Sequence, residues 1–271
     1  MKPPLRSVWL GTVGYGEAWQ LQRHLAAARR DGRIDDCVLL LEHPPVFTMG
    51  RNGKAEHVPG GAERVRALGA EYLDVDRGGS VTFHGPGQLV AYPIVRLAEV
   101  FPVPGVAGQG DVLHYVRALE TALCEVCDAL GVPATQRPPY TGAWVGGDKV
   151  AAIGVKLSGG VTQHGLALNV DSRPLRWFAE VVACGIDDGG VTSLEREGAA
   201  GLSPEQVAPL LAERLAVAFG REPLAADAAL LAALEESHSR ETRQAAATVM
   251  SRSVQGTALS VTSGAPRETA L

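Results

Sequence analysis

Glycine in this chain falls between short β-prone runs instead of ahead of helices, and that habit limits the fold more than any other feature. Tyr72–Asp76 and Val81–Phe83 flank Arg77-Gly78-Gly79-Ser80, and Leu89–Val95 follows the next glycines. Further along, Ala143–Val145, Lys149–Leu157, Val161–Gln163 and Leu166–Val170 read as short strands, with turns at Gly146-Gly147 and Gly159-Gly160. Glycine reaches the positive φ angles that tight hairpin turns demand. A dinucleotide or nucleotide loop would instead place Gly-x-Gly-x-x-Gly, or a run ending Gly-Lys-Ser/Thr, at the mouth of a helix. Neither pattern is present.

Helices are expected between these hairpins. From Tyr15 to Arg30 the residues Ala18, Leu21, Leu25 and Ala28 recur at helical spacing, with Asp31-Gly32 as the stop. Cys37–Leu41 is a continuous apolar strand closed by Glu42-His43-Pro44-Pro45, after which Val46–Met49 resumes strand chemistry. Asp111 caps a helix to about Leu130 whose stripe is Leu113, Val116, Leu119, Leu123, Val126 and Leu130, ended by Gly131. Ser203-Pro204-Glu205-Gln206 is a capping box opening a helix to Phe219, and a short Ala/Leu helix is expected from about Ala225 to Leu234. Helices mixed with hairpins predict an α+β fold, a mixed or antiparallel sheet flanked by helices. The 271-residue chain is 46% hydrophobic, and residues 1–236 are expected to form one catalytic domain. Residues 237–271, rich in Ser, Thr, Arg, Gln and Ala, are expected to be a disordered tail.

The formal net charge of −5 offers no general basic face, so no nucleic acid is expected. Every apolar stretch is broken well short of the ~20 residues that a membrane span needs, so no membrane is expected either. Nothing at the N-terminus reads as a cleavable targeting segment, and a cytoplasmic chain with reduced thiols is expected. Cys37, Cys124 and Cys127 lie in apolar patterns and read as packing residues. Cys124-x-x-Cys127 has no second pair to complete a zinc site, and the seven histidines show no His-Glu-x-x-His spacing, so no metal is expected.

Three segments carry chemistry. Arg77-Gly78-Gly79-Ser80-Val81-Thr82-Phe83-His84-Gly85-Pro86-Gly87-Gln88 packs four glycines, a proline and several polar groups into a dozen residues, a combination suited to close backbone approach to a ligand. Lys149 starts the strand Lys149-Val150-Ala151-Ala152-Ile153-Gly154-Val155; it is either a solvated edge residue or, if partly buried, a proton carrier at neutral pH. His164-Gly165-Leu166-Ala167-Leu168-Asn169 is followed by Val182-Ala183-Cys184-Gly185-Ile186 and Val191-Thr192-Ser193-Leu194, in which Cys184 stands in a glycine-containing loop where a nucleophilic thiol meets substrate.

Taken in order, these blocks resemble the lipoyl(octanoyl) transferases, and Glu42–Thr48 with Gly50-Arg51 resembles the family's N-terminal region. The resemblance implies the fold shared with biotin and lipoate protein ligases and transfer of an octanoyl group from octanoyl-acyl carrier protein. The group passes through a cysteine thioester to a lysine of lipoyl domains, those of 2-oxoacid dehydrogenases and of the glycine cleavage H protein. Cys184 occupies the position of the thioester nucleophile and Lys149 that of its acid/base partner, which lowers the thiol pKa. Arg77, Gly78, Gly79, Ser80, Val81, Thr82, Phe83, His84, Ala152, Ile153, Gly154, Gly165, Leu166 and Ala167 occupy substrate-binding positions. His84 is assigned to orienting the reacting carbonyl or shaping the pocket. No cofactor is implied, and a monomer is expected. Ala183 stands where the family usually has proline before the cysteine.

Small residues such as Gly78, Gly79 and Gly154 are expected to leave room for the eight-carbon chain. Arg51, Lys54, Arg77 and Arg96 are expected to meet acidic partner surfaces. Three rival readings remain at this point: an ATP-dependent lipoate or biotin ligase, a non-catalytic acyl-carrier-domain binding protein, and a cysteine hydrolase using His84 or His164 as base.

Overall fold

The computed structural model describes residues 2–181, 189–237 and 239. Its strands in chain order are β1 (Pro4–Thr12), β2 (Asp36–Glu42), β3 (Val46–Met49), β4 (Glu71–Asp74), β5 (Val81–His84), β6 (Gln88–Ile94), β7 (Thr135–Arg137), β8 (Tyr140–Val145), β9 (Asp148–Ser158), β10 (Val161–Asn169) and β11 (Glu222–Ala225). The helices are α1 (Tyr15–Arg30), α2 (Gly61–Ala67), α3 (Leu97–Val100), α4 (Val112–Ala129) and α5 (Pro204–Ala218), with a further helical stretch over 228–237. Eight strands form one mixed sheet in the order β11-β1-β2-β6-β10-β9-β8-β7, and β4-β3-β5 form a second, smaller sheet. The architecture is the expected α+β arrangement.

The large sheet separates two cores. Strand β2 is buried on both faces, which explains its unbroken apolar run. Cys37, Leu39 and Leu41 join Leu21 and Leu25 of α1 on one side. Val38 and Leu40 join the α4 and α5 stripes, including Leu119, Leu123, Leu211 and Leu215, on the other. Each fully buried leucine of this kind contributes about 1.5–3 kcal/mol. The capping chemistry is as the sequence predicts: Asp111 Oδ1 accepts from the His114 amide at 2.9 Å, and Ser203 and Gln206 cap each other reciprocally.

Several elements differ from expectation. Strand β1 shows no clean alternation, being mostly half-buried, and its partner β11 lies far away in sequence and is exposed throughout. Ala225, expected in the last helix, instead pairs with Ser7, so that helix begins at 228. The two runs 161–163 and 166–170 form a single strand, β10, because Gly165 is accommodated within it. A Cβ on Gly165 would stand 2.1 Å from the Ala91 carbonyl oxygen, so only glycine lets β10 lie this close to β6 there. Of the tail expected over 237–271, Ser237 and Ser239 are helical and Ser237 is buried, so the last helix runs past the expected boundary; 238 and 240–271 fall outside the described residues.

Candidate active site

The hairpin of β9 and β10 forms one wall of a cavity of about 620 Å³. Its register sets Gly154 opposite Gly165, Ile153 opposite Leu166 and Ala152 opposite Ala167, and all six line the space. The facing wall comes from Arg77, Gly79, Ser80, Val81, Thr82 and His84. Two residues of that block have other roles. The Gly78 amide donates to the Val155 carbonyl at 2.9 Å, tying the loop to β9. Phe83 is fully buried in an aromatic cluster, its ring 5.1 Å from both Phe47 and Trp177. The glycines also act differently from expectation. A Cβ on Gly154 would lie 3.1 Å from Arg77 Cδ and 3.1 Å from the Gly78 oxygen, so the space beside Gly154 is taken by Arg77.

One end of the cavity is polar. Arg77 is buried and clamps β3, donating from Nε and Nη2 to Thr48 Oγ1 at 3.2 and 2.8 Å and from Nη2 to the Thr48 carbonyl at 2.6 Å. Burial lowers its pKa from the usual arginine value. Beside it, Tyr15 packs against His43, His84 and His164. Asp76 accepts from His164 Nε2 at 3.0 Å, so Nδ1 is the acceptor for the Tyr15 hydroxyl at 3.2 Å. Asp76 is also held at 2.5 Å by Lys156 Nζ. His43 Nδ1 donates to the Val13 carbonyl at 2.6 Å, which leaves Nε2 to accept from Tyr92 at 2.8 Å. Desolvation pushes His43 and His164 down to about 4 and Tyr15 up to about 12, so all three are neutral at pH 7. Desolvation likewise holds His84 well below the usual histidine value. His84 Nδ1 donates to Gln88 Oε1 at 2.7 Å, Gln88 Nε2 to Asn169 Oδ1 at 2.9 Å, and Asn169 Nδ2 to the Thr192 carbonyl at 2.9 Å.

Lys149 stands at the other end, five strand steps from Gly154, or about 16 Å at 3.3 Å per residue. It is half-buried rather than a solvated edge residue, and desolvation lowers its pKa from the ordinary lysine value. Trp144 of β8 is its cross-strand partner, and Lys149 Nζ lies over the indole, 4.7 Å from the ring centroid. On its other side the Lys149 amide donates to the Gly190 carbonyl and the Thr192 amide to the Lys149 carbonyl, each at 3.0 Å. Cys184 lies outside the described residues. The described residues that bracket 182–188, Val181 and Gly189, both line the cavity that holds Lys149. The remaining cysteines are unsuited to attack: burial raises Cys124 to about 11, Cys127 to about 12 and Cys37 higher still.

The expected docking charges divide. Arg51 is exposed and adjoins Asn52, a cavity residue, and Lys54 is exposed in an ion pair with Glu56. Arg77 is internal. Arg96 follows the end of β6 opposite to Gln88, away from the cavity, and sits 3.7 Å from Glu99. Sequence reasoning missed Tyr15, Tyr92 and Tyr140 as cavity residues. Tyr15 had a signal: it precedes Ala18 by three positions and so shares the buried stripe of α1, where a hydroxyl demands a partner.

The mixed sheet, with its cavity walled by β9 and β10, has the fold of the lipoate protein ligases. Solved structures agree on the fold. A bipartite lipoate protein ligase from Thermoplasma acidophilum, determined with its E2 lipoyl domain, superposes with a TM-score of 0.63 at 15% identity, covering 86% of this chain and 91% of that one. A lipoate-protein ligase A bound with ATP gives 0.65 at 12% identity, covering 86% and 93%. Residues 14–216 match the lipoyl protein ligase A/B catalytic domain.

Within that class the chain is similar to curated octanoyltransferases. It is 49% identical to that of Rubrobacter xylanophilus over 69% of this chain and 80% of that protein, and 44% identical to that of Koribacter versatilis over 79% and 84%. It is 43% identical to that of Rhodococcus opacus over 80% and 81%. The chain belongs to the octanoyltransferases, acyltransferases built on this catalytic domain.

Proposed function

We propose that this octanoyltransferase takes its acyl group from octanoyl-acyl carrier protein onto Cys184 as a thioester and delivers it to a lysine of a lipoyl domain, with Lys149 as the proton carrier. Acceptors are the lipoyl domains of 2-oxoacid dehydrogenases and the glycine cleavage H protein. The observation that carries this reading is the position of Lys149 in a cavity whose wall includes both residues bracketing the Cys184 segment.

In the first step the Cys184 thiolate attacks the carrier-bound carbonyl. Its S–C bond forms as the carrier's breaks, and Lys149 returns a proton to the departing thiolate. One thioester replaces another, so this step is nearly isoenergetic. In the second step the acceptor amine attacks, a C–N bond forms and the Cys184 S–C bond breaks. Lys149 removes a proton from the incoming nitrogen, and one proton is released overall because the acceptor arrives as an ammonium. Desolvation suits Lys149 to both exchanges, since it brings the ammonium closer to balance with the amine at neutral pH. Amide formation is downhill from a thioester, and no nucleotide enters the balance. Burying the octanoyl chain supplies about 0.8 kcal/mol per CH₂ along the Ile153 and Leu166 wall.

Incubation with octanoyl-acyl carrier protein, followed by intact mass measurement, tests the reading. An octanoyl adduct should form without ATP, vanish in Cys184→Ala, and discharge onto a lipoyl domain. Lys149→Met should slow transfer by about 10²–10⁴. An ATP requirement would instead indicate a ligase, and discharge to free octanoate a hydrolase.

A further inference from the structure

We propose that Trp144 is the positioning residue of Lys149, its indole face serving as the seat that orients the ammonium toward the cavity. Trp144 is 0% exposed, yet it joins none of the apolar clusters that fill the two sides of the large sheet. Its neighbour Ala143 belongs to the α4 core, whereas Trp144, beyond a register shift in the pairing of β8 with β9, does not. The groups recorded against its ring are Lys149 Nζ at 4.7 Å, Arg137 Cζ at 5.0 Å and the Tyr140 ring at 5.9 Å. A buried ring packed by two cations and a phenol is not serving chiefly as apolar filler.

The choice of tryptophan points the same way. Among the described residues Trp144 Nε1–H has no hydrogen-bond partner, a cost that a phenyl ring would avoid. What indole offers in return is the strongest aromatic face for a cation. That face lies at the cross-strand position, where Trp144 and Lys149 are register partners and their side chains emerge on the same side of the hairpin. The backbone on the far side is fixed as well: Gly142, two residues before Trp144, donates its amide to Glu120 Oε1 at 3.1 Å, and Glu120 is a fully buried side chain of α4. The ring is therefore anchored through its strand to the helix layer, and the lysine rests on it.

Two opposing influences meet at Lys149. Desolvation favours the neutral amine, whereas the indole face favours the ammonium. Among the described residues, the charged and titratable groups near it include Arg137 on the shared ring, Tyr140 in the cavity lining and Asp148 beside it in sequence, whose Oδ1 is engaged by the Gly190 amide at 2.7 Å. Removing the ring should leave desolvation unopposed and let the amine swing free.

The chain permits a direct test, because Lys2, Lys54, Lys149 and Lys156 are its only lysines. Reductive ¹³C-methylation of the full chain gives one NMR signal per lysine beside that of the α-amine, and Lys149→Arg assigns the relevant one. In Trp144→Leu the Lys149 signal should titrate about one pH unit lower than in the unaltered chain, with Trp144→Phe between them. The other three lysine signals should stay in place, which reports that the fold is intact. Octanoyl transfer should show the same order: kcat about tenfold lower in Trp144→Leu with KM little changed, its pH profile moved to lower pH, and most of the rate restored in Trp144→Phe. If Trp144→Leu disturbs all four lysine signals, Trp144→Phe and Trp144→Tyr, which keep a ring, supply the comparison. An unchanged Lys149 titration across the ring variants overturns the proposal. The inference rests on Lys149 being the proton carrier, but the NMR titration reads the lysine alone. A shifted titration with an unaffected rate would thus count against the role of Lys149 and leave its seat on Trp144 standing.

Discussion

Asp148 and Gly190 hold each other beside Lys149: the Gly190 amide donates to Asp148 Oδ1 at 2.7 Å. The next residue answers in reverse, its amide donating to the Gly190 carbonyl at 3.0 Å. This clasp fixes the arm that returns from the Cys184 segment against the strand that bears Lys149. Asp148→Ala should lower the rate of octanoyl transfer about tenfold, a loss of roughly 1.4 kcal/mol, by releasing the arm. Asp148→Asn keeps an oxygen acceptor and should retain most activity. Steady-state kinetics on both variants checks this, and equal rates for the alanine and unaltered enzymes would remove the clasp from the mechanism.

Thr48 is fully buried and its hydroxyl takes two of the Arg77 donors. Thr48→Val preserves shape but removes the acceptor of Arg77 Nε and one of the two acceptors of Nη2 on a buried side chain. A stability loss of about 1–3 kcal/mol is expected, measured by guanidinium unfolding. A loss below about 0.5 kcal/mol, the level of an ordinary surface change, would mean that the Thr48 carbonyl alone holds Arg77.

The neutral histidines predict a pH dependence of stability. Folded His43 and His164 sit at about 4, below the ordinary 6.5, so between those values the unfolded chain binds more protons than the native one. Stability is therefore complete above about pH 6.5 and falls as the pH drops toward 4, by an order of 3 kcal/mol for each histidine across the window. His84 adds to the slope in the same direction. Thermal unfolding from pH 7.5 to 4.5 should show a steady fall in Tm, shallower in His164→Asn. A flat profile over that range would contradict burial of these rings in neutral form.

Local chemistry made much of this molecule readable from its residues. Gly146, Gly159 and Gly160 do adopt positive φ at hairpin turns, and the caps at Asp111 and Ser203 form as their spacing demands. What escaped was non-local. β1 and β11 pair across more than two hundred residues, and no local pattern announces that union. At the site, the motifs marked the right strands but not the use of each glycine. Gly154 and Gly165 serve close approach by Arg77 and by Ala91, neighbours that only the folded chain supplies. Tyr15 was hidden because a helix stripe is normally credited to packing, and its hydroxyl acquires meaning only beside His164.

The ion pair between Lys156 and Asp76 has a consequence for self-protection. A catalyst that acylates lysine side chains endangers its own, and this chain carries only four. Lys156 lies on β9 itself, two positions beyond the cavity residue Gly154. Its nitrogen is tied to Asp76 Oδ2 at 2.5 Å, and a side chain held in such an ion pair is not free to swing toward an acyl donor. The carboxylate that steadies His164 through one oxygen thus restrains Lys156 through the other.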